Sequence, residues 1–292
     1  MCVSCPRQCK VDRKFGNGFC GVGDKPKVAK AYLHKWEEPC ISGTNGSGTV
    51  FFSGCNLKCV FCQNYDISQK YIGKEISIEK LSNIYLKLQQ MGAHNINLVN
   101  PTHYAMQIKK SLEISSSLKI PVIYNTNAYE TINVLKKIDG MVDVYLPDFK
   151  YIEESTALRY SGVQNYFEAA AEAIKEMYRQ VGGPVFDENG LITRGLIIRH
   201  LILPGLSRES MKILDYIKDN FPEDIYISLM SQYTPCFNAE NYPEINRRIT
   251  RSEYDRVLNH FFKLGFENGY VQERESASCE YIPEFDFEGL EG

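Results

Sequence analysis

Three cysteines stand at C-x3-C-x2-C in Ser53-Gly54-Cys55-Asn56-Leu57-Lys58-Cys59-Val60-Phe61-Cys62-Gln63-Asn64, with an aromatic residue directly before the last. Three thiolates on one short loop can each hold one iron of a 4Fe–4S cube, leaving the fourth iron without a protein ligand. A metal with an open position is where substrate or cofactor can bind, as in catalytic three-ligand sites. Other readings of the loop are weaker. A zinc site is normally closed by four ligands, and this loop offers three. A disulfide framework belongs to short secreted chains, and chance clustering is the remaining alternative in a chain of 10 Cys.

A second set, Cys2, Cys5, Cys9 and Cys20, is spaced C-x2-C-x3-C-x10-C and ends among glycines (Gly16, Gly18, Gly21, Gly23). Four thiolates gathered by flexible turns can close around zinc or an additional Fe–S cluster. The plain alternative is free thiols on a loose segment. A metal suits a stretch this short and glycine-rich, which has little apolar material for a core. Cys40 and His34 stand alone and read as packing or loop residues.

These groups need a scaffold, and 292 residues suffice for one β/α domain with a full core. Hydrophobic residues at 43% and charged residues at 24% are ordinary for a globular chain. With 33 basic and 36 acidic residues the net charge is -3, which argues against non-specific nucleic-acid binding. No run of 18 apolar residues suggests a membrane span, and residues 1–7 lack the apolar core of a signal peptide. Ten cysteines without such a signal point to a reducing, cytoplasmic setting.

Apolar runs and helical stripes alternate along the chain. Strands are expected at residues 49–52, 95–99, 121–124, 141–146, 196–203 and 225–230. Between them fall helices with Ser77 as an N-cap, a stretch of about 104–117, a stripe through Phe167, Ile174 and Met177, and 207–219. Asp187-Glu188-Asn189-Gly190 reads as a hairpin turn, and Thr250 with Glu253 as a capping box opening a last helix that Gly265 stops. Strands apolar on both faces, alternating with helices, imply a parallel sheet with helices outside. Six such units give an α/β fold, a partial (β/α)6 TIM-like barrel. The expected layout is a Cys-rich N-terminal extension at 1–45, a core domain at 46–270 and an acidic, aromatic tail at 271–292 that covers it loosely.

In a parallel α/β barrel, chemistry collects at the C-terminal ends of the strands. The three-cysteine loop follows the strand at 49–52. The other ends carry Asn100-Pro101-Thr102-His103, Asn125-Thr126-Asn127, Asp148-Phe149-Lys150 and Ser231-Gln232-Tyr233, with Arg199 and His200 inside the fifth strand. Any one of these suits a local cap or, for His200, a satisfied core position. Their recurrence at consecutive ends favours a binding site.

The cysteine loop resembles that of the radical S-adenosylmethionine (SAM) enzymes. More narrowly, the chain resembles the glycyl-radical-enzyme activases and the pyruvate formate-lyase-activating-enzyme-related proteins. Asn125-Thr126-Asn127-Ala128 is similar to their Asp-Thr-Asn-Gly, Asp148-Phe149-Lys150 to their Asp-Leu-Lys, and Leu203-Pro204-Gly205 closes a similar fifth strand, over residues 49 to 235 in all. Cys-x2-Cys-Pro-Arg-x-Cys near the N-terminus and Glu37-Glu38-Pro39-Cys40-Ile41-Ser42-Gly43 are similar to the activase-related subgroup. The resemblance implies a radical SAM barrel with a 4Fe–4S cluster on Cys55, Cys59 and Cys62, and SAM as cofactor. It implies SAM contacts from Lys150 and His200, and places Asn125, Thr126 and Asp148 near the SAM carboxylate and a monovalent cation. Asn100, Thr102 and Asn127 complete the expected cofactor set. No protein acid, base or nucleophile is expected, because the reactive group is the cofactor's radical. Expected partners are an electron donor such as flavodoxin or ferredoxin and a protein substrate bearing a glycine. A peptide or small-molecule substrate is the close competitor, and a structural or redox-sensing metal protein the alternative of another class. Activases carry Gly-Gly-Glu at the second strand end, where this chain has Asn100-Pro101-Thr102, and the partner of the SAM amino group is left open.

Overall fold

A computed structural model of the chain describes residues 1–272 and 283–291. Stretches such as Val122-Ile123-Tyr124 are apolar throughout because helices cover one face of the sheet and its own interior fills the other. Among the described residues ten strands result: β1 (Lys27–His34), β2 (Ser47–Phe52), β3 (Lys74–Glu75), β4 (Ile96–Val99), β5 (Val122–Thr126), β6 (Val144–Pro147), β7 (Val185–Phe186), β8 (Ile192–Leu201), β9 (Tyr226–Met230) and β10 (Gly269–Val271). Their order is β10-β9-β8-β6-β5-β4-β2-β1-β3, with β7 pairing β8. From β2 to β10 along that path every pairing is parallel. The terminal strands β10 and β3 do not meet, so the sheet is an open, partial barrel.

The six expected strands are β2, β4, β5, β6, β8 and β9, with bounds shifted by a few residues. Two further strands flank them. β10 extends the parallel run with only three residues, too few to show a period. β1 pairs antiparallel with β2, Tyr32 opposite Thr49, so residues assigned by sequence to the N-terminal extension share the sheet. The helix expected at about 104–117 is Ala105–Ile114, entered through a 3-10 turn at Thr102–Tyr104.

Helix ends follow their caps. The Ser77 hydroxyl accepts from the Lys80 N–H to start helix Ile78–Gln90, and Thr250 and Glu253 form a full capping box on helix Arg251–Lys263. The hairpin around Asp187 pairs β7 with β8. The main core lies between the sheet and helices Tyr166–Val181 and Ser207–Asn220, through Tyr145, Ile174, Met177, Ile198, Ile213 and Ile217. Of the tail, residues 273–282 and 292 lie outside the described residues. Residues 283–291 are pinned more firmly than a loose cover. The Ala31 N–H donates to the Glu288 carbonyl at 2.9 Å, Lys30 pairs with Asp286 and Glu288 at 3.0 Å each, and Leu290 is buried. Among the described residues no helix is long and apolar enough to cross a membrane.

Candidate metal centre and cofactor site

β2 is buried along its whole length and delivers the three-cysteine loop at its C-terminal end. The chain turns at Gly54, whose φ of +86° suits glycine, and a Cβ there would lie 2.7 Å from the Cys20 carbonyl oxygen. The loop's backbone is then tied down from several directions. Cys55 N–H donates to the Cys20 carbonyl (3.3 Å), Lys58 N–H to the Ser161 carbonyl (3.1 Å) and Val60 N–H to the Tyr160 carbonyl (2.8 Å). Gln69 Nε2 donates to the Cys59 carbonyl at 3.0 Å, and His103 Nε2 contacts the Ser53 carbonyl at 2.8 Å. Leu57 and Phe61 anchor the loop in the core. A loop so satisfied holds its thiols in place.

Each thiol has a polar neighbour. Cys59 Sγ lies 2.9 Å from Ser161 Oγ and Cys62 Sγ 3.2 Å from Ser68 Oγ. Cys55 Sγ accepts from the Leu57 N–H (3.4 Å) and Asn127 Nδ2 (3.5 Å). Burial pushes Cys55 up to about 11 and Cys62 up to about 12, and the charges of neighbouring cysteines add to both. Three soft donors with hydrogen-bond donors behind them fit an iron–sulfur cluster. The sulfurs share one cavity without being drawn onto a single point. Among the described residues no three His, Cys, Asp or Glu side chains form a ready-made metal-binding group.

That cavity is lined by Cys55, Cys59 and Cys62 and by Asn100, Asn125, Thr126, Asn127, Asp148 and Lys150 from the strand ends. Two expected residues are not brought in. Thr102 is fully buried and donates to Glu130 Oε1 at 2.6 Å. His200 turns away, its Nδ1 2.7 Å from the Phe149 carbonyl, and burial pushes it down to about 4, so it is neutral. Arg199 takes the inward place instead, because adjacent strand residues face opposite sides. Its guanidinium reaches Asp148 at 2.8 Å, Asn125 Oδ1 at 2.7 Å and Glu37 at 3.3 Å.

The amides of Asn127 and Asn100, both expected in the cofactor set, are engaged with the chain itself. Asn127 Nδ2 donates to Asn56 Oδ1 at 2.8 Å, bracing the loop, and Asn100 Nδ2 donates to the Gly54 carbonyl. Lys150 lies 2.7 Å from Asp148. Burial alone would raise the Asp148 carboxyl, but Arg199 and Lys150 together hold it below the usual range. Three residues that hold this region were not picked out as site residues from the sequence. Glu37, after β1, accepts from Asn97 Nδ2 at 2.9 Å, and burial raises its carboxyl and that of Glu38. Glu130 accepts from Thr102 and Thr126, each at 2.6 Å, and burial pushes it up to about 7. The Tyr166 hydroxyl lies 3.0 Å from the Asn127 carbonyl and 2.8 Å from the Asp148 carbonyl, joining the ends of β5 and β6.

An open parallel α/β barrel with a three-thiol loop and polar groups gathered at its strand ends is an architecture that enzymes use, with chemistry at that edge. The chain belongs to the Radical SAM superfamily, whose family profile matches residues 49–217. It is 34% identical over 269 residues to the uncharacterized protein MJ0674 of Methanocaldococcus jannaschii, covering 88% of this chain and 73% of that one. Among solved structures it is similar in fold to Streptococcus suis SuiB bound to S-adenosylmethionine, with a TM-score of 0.50 and 14% identity over 75% of this chain and 48% of SuiB. It is likewise similar to the FeFe-hydrogenase maturase HydG of Carboxydothermus hydrogenoformans, with a TM-score of 0.50 and 12% identity over 80% of this chain and 56% of HydG. The chain thus spans about half the length of these two proteins.

Proposed function

We propose that Cys55, Cys59 and Cys62 hold a 4Fe–4S cluster and that SAM occupies the cavity between it and the ends of β4, β5, β6 and β8. When bound, this pair supplies a 5′-deoxyadenosyl radical by one-electron cleavage of the sulfonium, for hydrogen-atom abstraction from a substrate. The chain's residues bind and orient. Lys150 offers positive charge toward the SAM carboxylate, with Asp148 fixing its direction. Asn100 and Asn127 keep the cysteine loop seated. Glu37 stands over β4 through Asn97 and receives the SAM ammonium, the task of the missing Gly-Gly-Glu glutamate. The observation that carries the reading is that the three loop thiols and six of the eight polar residues named from the sequence line one cavity.

The resemblance to the activases supports a glycine of a partner protein as hydrogen donor, and a flavodoxin or ferredoxin as electron source. Fold-level likeness gives the substrate less support than it gives the cofactor. The test is anaerobic reconstitution with iron and sulfide, addition of reductant and SAM, and quantification of 5′-deoxyadenosine, with Cys59→Ala beside it. Product from the wild type alone supports the reading. A fully loaded cluster that neither binds nor cleaves SAM overturns it in favour of a structural or redox-sensing metal protein.

A further inference from the structure

We infer that Cys2, Cys5, Cys9 and Cys20 form a second metal site, closed by four thiolates, that fastens residues 1–26 against the three-cysteine loop. Residues 1–26 contain neither helix nor strand. Their buried apolar side chains are Cys5, Cys20, Val22 and Pro26, of which Cys20 and Val22 join the edge of the neighbouring core, too few to give the segment a core of its own. Turns give the segment its path. Gln8 N–H donates to the Cys5 carbonyl (3.0 Å), Lys10 N–H to the Cys2 carbonyl (3.0 Å) and Cys2 N–H to the Val11 carbonyl (2.7 Å). Gln8 and Lys10 sit at φ of +44° and +55°, a region costly for residues with side chains and kept only where something else imposes it.

Two of the sulfurs face one space along this path, although the four are not drawn into a ready-made metal-binding group. A Cβ on Gly18 would meet the Cys20 sulfur at 3.5 Å and the Cys9 sulfur at 3.7 Å, so glycine leaves a cradle that both thiols face. Phe19 N–H donates to the Cys9 sulfur at 3.2 Å, the amide-to-sulfur contact that supports a ligating thiolate. Charge on Cys9 or Cys20 raises the Cys5 thiol, and charge on Cys2 or Cys9 raises that of Cys20, a mutual repulsion that a bound cation would relieve. All four are free thiols. A set of sulfur donors alone selects zinc or iron over hard cations.

The site touches the other one directly. Cys20 offers its carbonyl to the Cys55 N–H. Arg7, between Cys5 and Cys9, donates to the Asn56 carbonyl at 3.0 Å and the Gly162 carbonyl at 2.7 Å, and its guanidinium lies 3.8 Å from the Phe19 ring centre. Metal energy in such a segment is folding energy. A metal there holds residues 1–26 in place against the loop that carries Cys55.

The test uses the full chain with Cys55→Ser, Cys59→Ser and Cys62→Ser combined, purified without oxygen, with zinc, iron and labile sulfide measured by elemental and colorimetric analysis. The expected result is about one zinc per chain, or iron with sulfide in its place, retained by this variant. Adding Cys5→Ser and Cys20→Ser should remove it. Zinc marks a mononuclear site and iron with sulfide a cluster; either supports the four-thiolate assignment. A triple variant that carries no metal and takes up no cobalt(II) with thiolate absorption overturns it. So does metal that survives the two added substitutions. The readout involves no SAM cleavage, so its failure is separable from failure of the proposed activity.

Discussion

Cys20 and Cys55 are joined by one backbone hydrogen bond, yet the regions to which they belong are built on different principles. The loop of Cys55, Cys59 and Cys62 hangs from a fully buried strand, with apolar anchors at Leu57 and Phe61 and its backbone bonded to surrounding segments. The segment of Cys2, Cys5, Cys9 and Cys20, residues 1–26, has turns and four buried apolar side chains. The first set is placed by the sheet and keeps its shape whatever it binds. The second, on our inference, is placed by what it binds. In one region cysteines serve chemistry that the fold has already positioned; in the other they substitute for a core.

Four measurements sharpen or break this contrast. The largest effect is expected from Cys59→Ala, which should reduce 5′-deoxyadenosine to background while thermal unfolding stays near the wild-type temperature. A parallel collapse of stability would mean the loop needs its cluster to fold. Next comes Arg199→Met. It leaves the buried Glu37 carboxylate without its cation and Asp148 with Lys150 alone, and should cost about 3 kcal/mol in urea unfolding. A loss below about 1 kcal/mol would remove these ion pairs as the brace of the strand ends.

Glu130 gives a pH signature confined to the sheet-braced region. Burial holds its carboxyl up at about 7 against an ordinary 4.5, so between those values the folded chain keeps a proton that the unfolded chain releases. Stability should fall as pH rises across that window, by on the order of 3 kcal/mol. Glu130→Gln, which keeps an acceptor for Thr102 and Thr126, should flatten the slope in denaturant titrations at pH 5 and pH 8. An unchanged slope would show that another group sets it. The smallest effect is expected from Arg7→Ala, which loses two charge-assisted bonds and should cost about 2 kcal/mol. It should speed proteolytic cutting within residues 1–26 and leave iron at the loop intact. Iron loss matching that of Cys59→Ala would join the two regions into one unit.

Much of this was legible in the sequence, and what was missed has physical reasons. β2, the cysteine loop and the six parallel strands announced themselves because each is apolar, bounded by turn residues and long enough to show its type. β1 did not. Lys30 interrupts it, and the partners that make a buried lysine tolerable, Asp286 and Glu288, lie at the far end of the chain. Glu37 and Glu130 were passed over for a similar reason, since an acidic residue in a loop reads as solvated until a fold supplies Asn97, Thr102 and Thr126 around it. Arg199 and His200 show a different limit. The period of a strand says that only one of two neighbours faces inward, and the sequence reading put the wrong one in the site.

The hold of residues 283–291 on β1 reaches beyond packing. β3 covers β1 only at Lys27 and Val28, and farther along it is Glu288 that occupies the Ala31 N–H. Cutting the chain before residue 283 would leave the strand margin with the Ala31 N–H unmet and Lys30 without its carboxylates, over the Tyr32 ring. A bare margin of that kind is a template for a second copy, so the short closing segment acts as a guard against edge-to-edge aggregation.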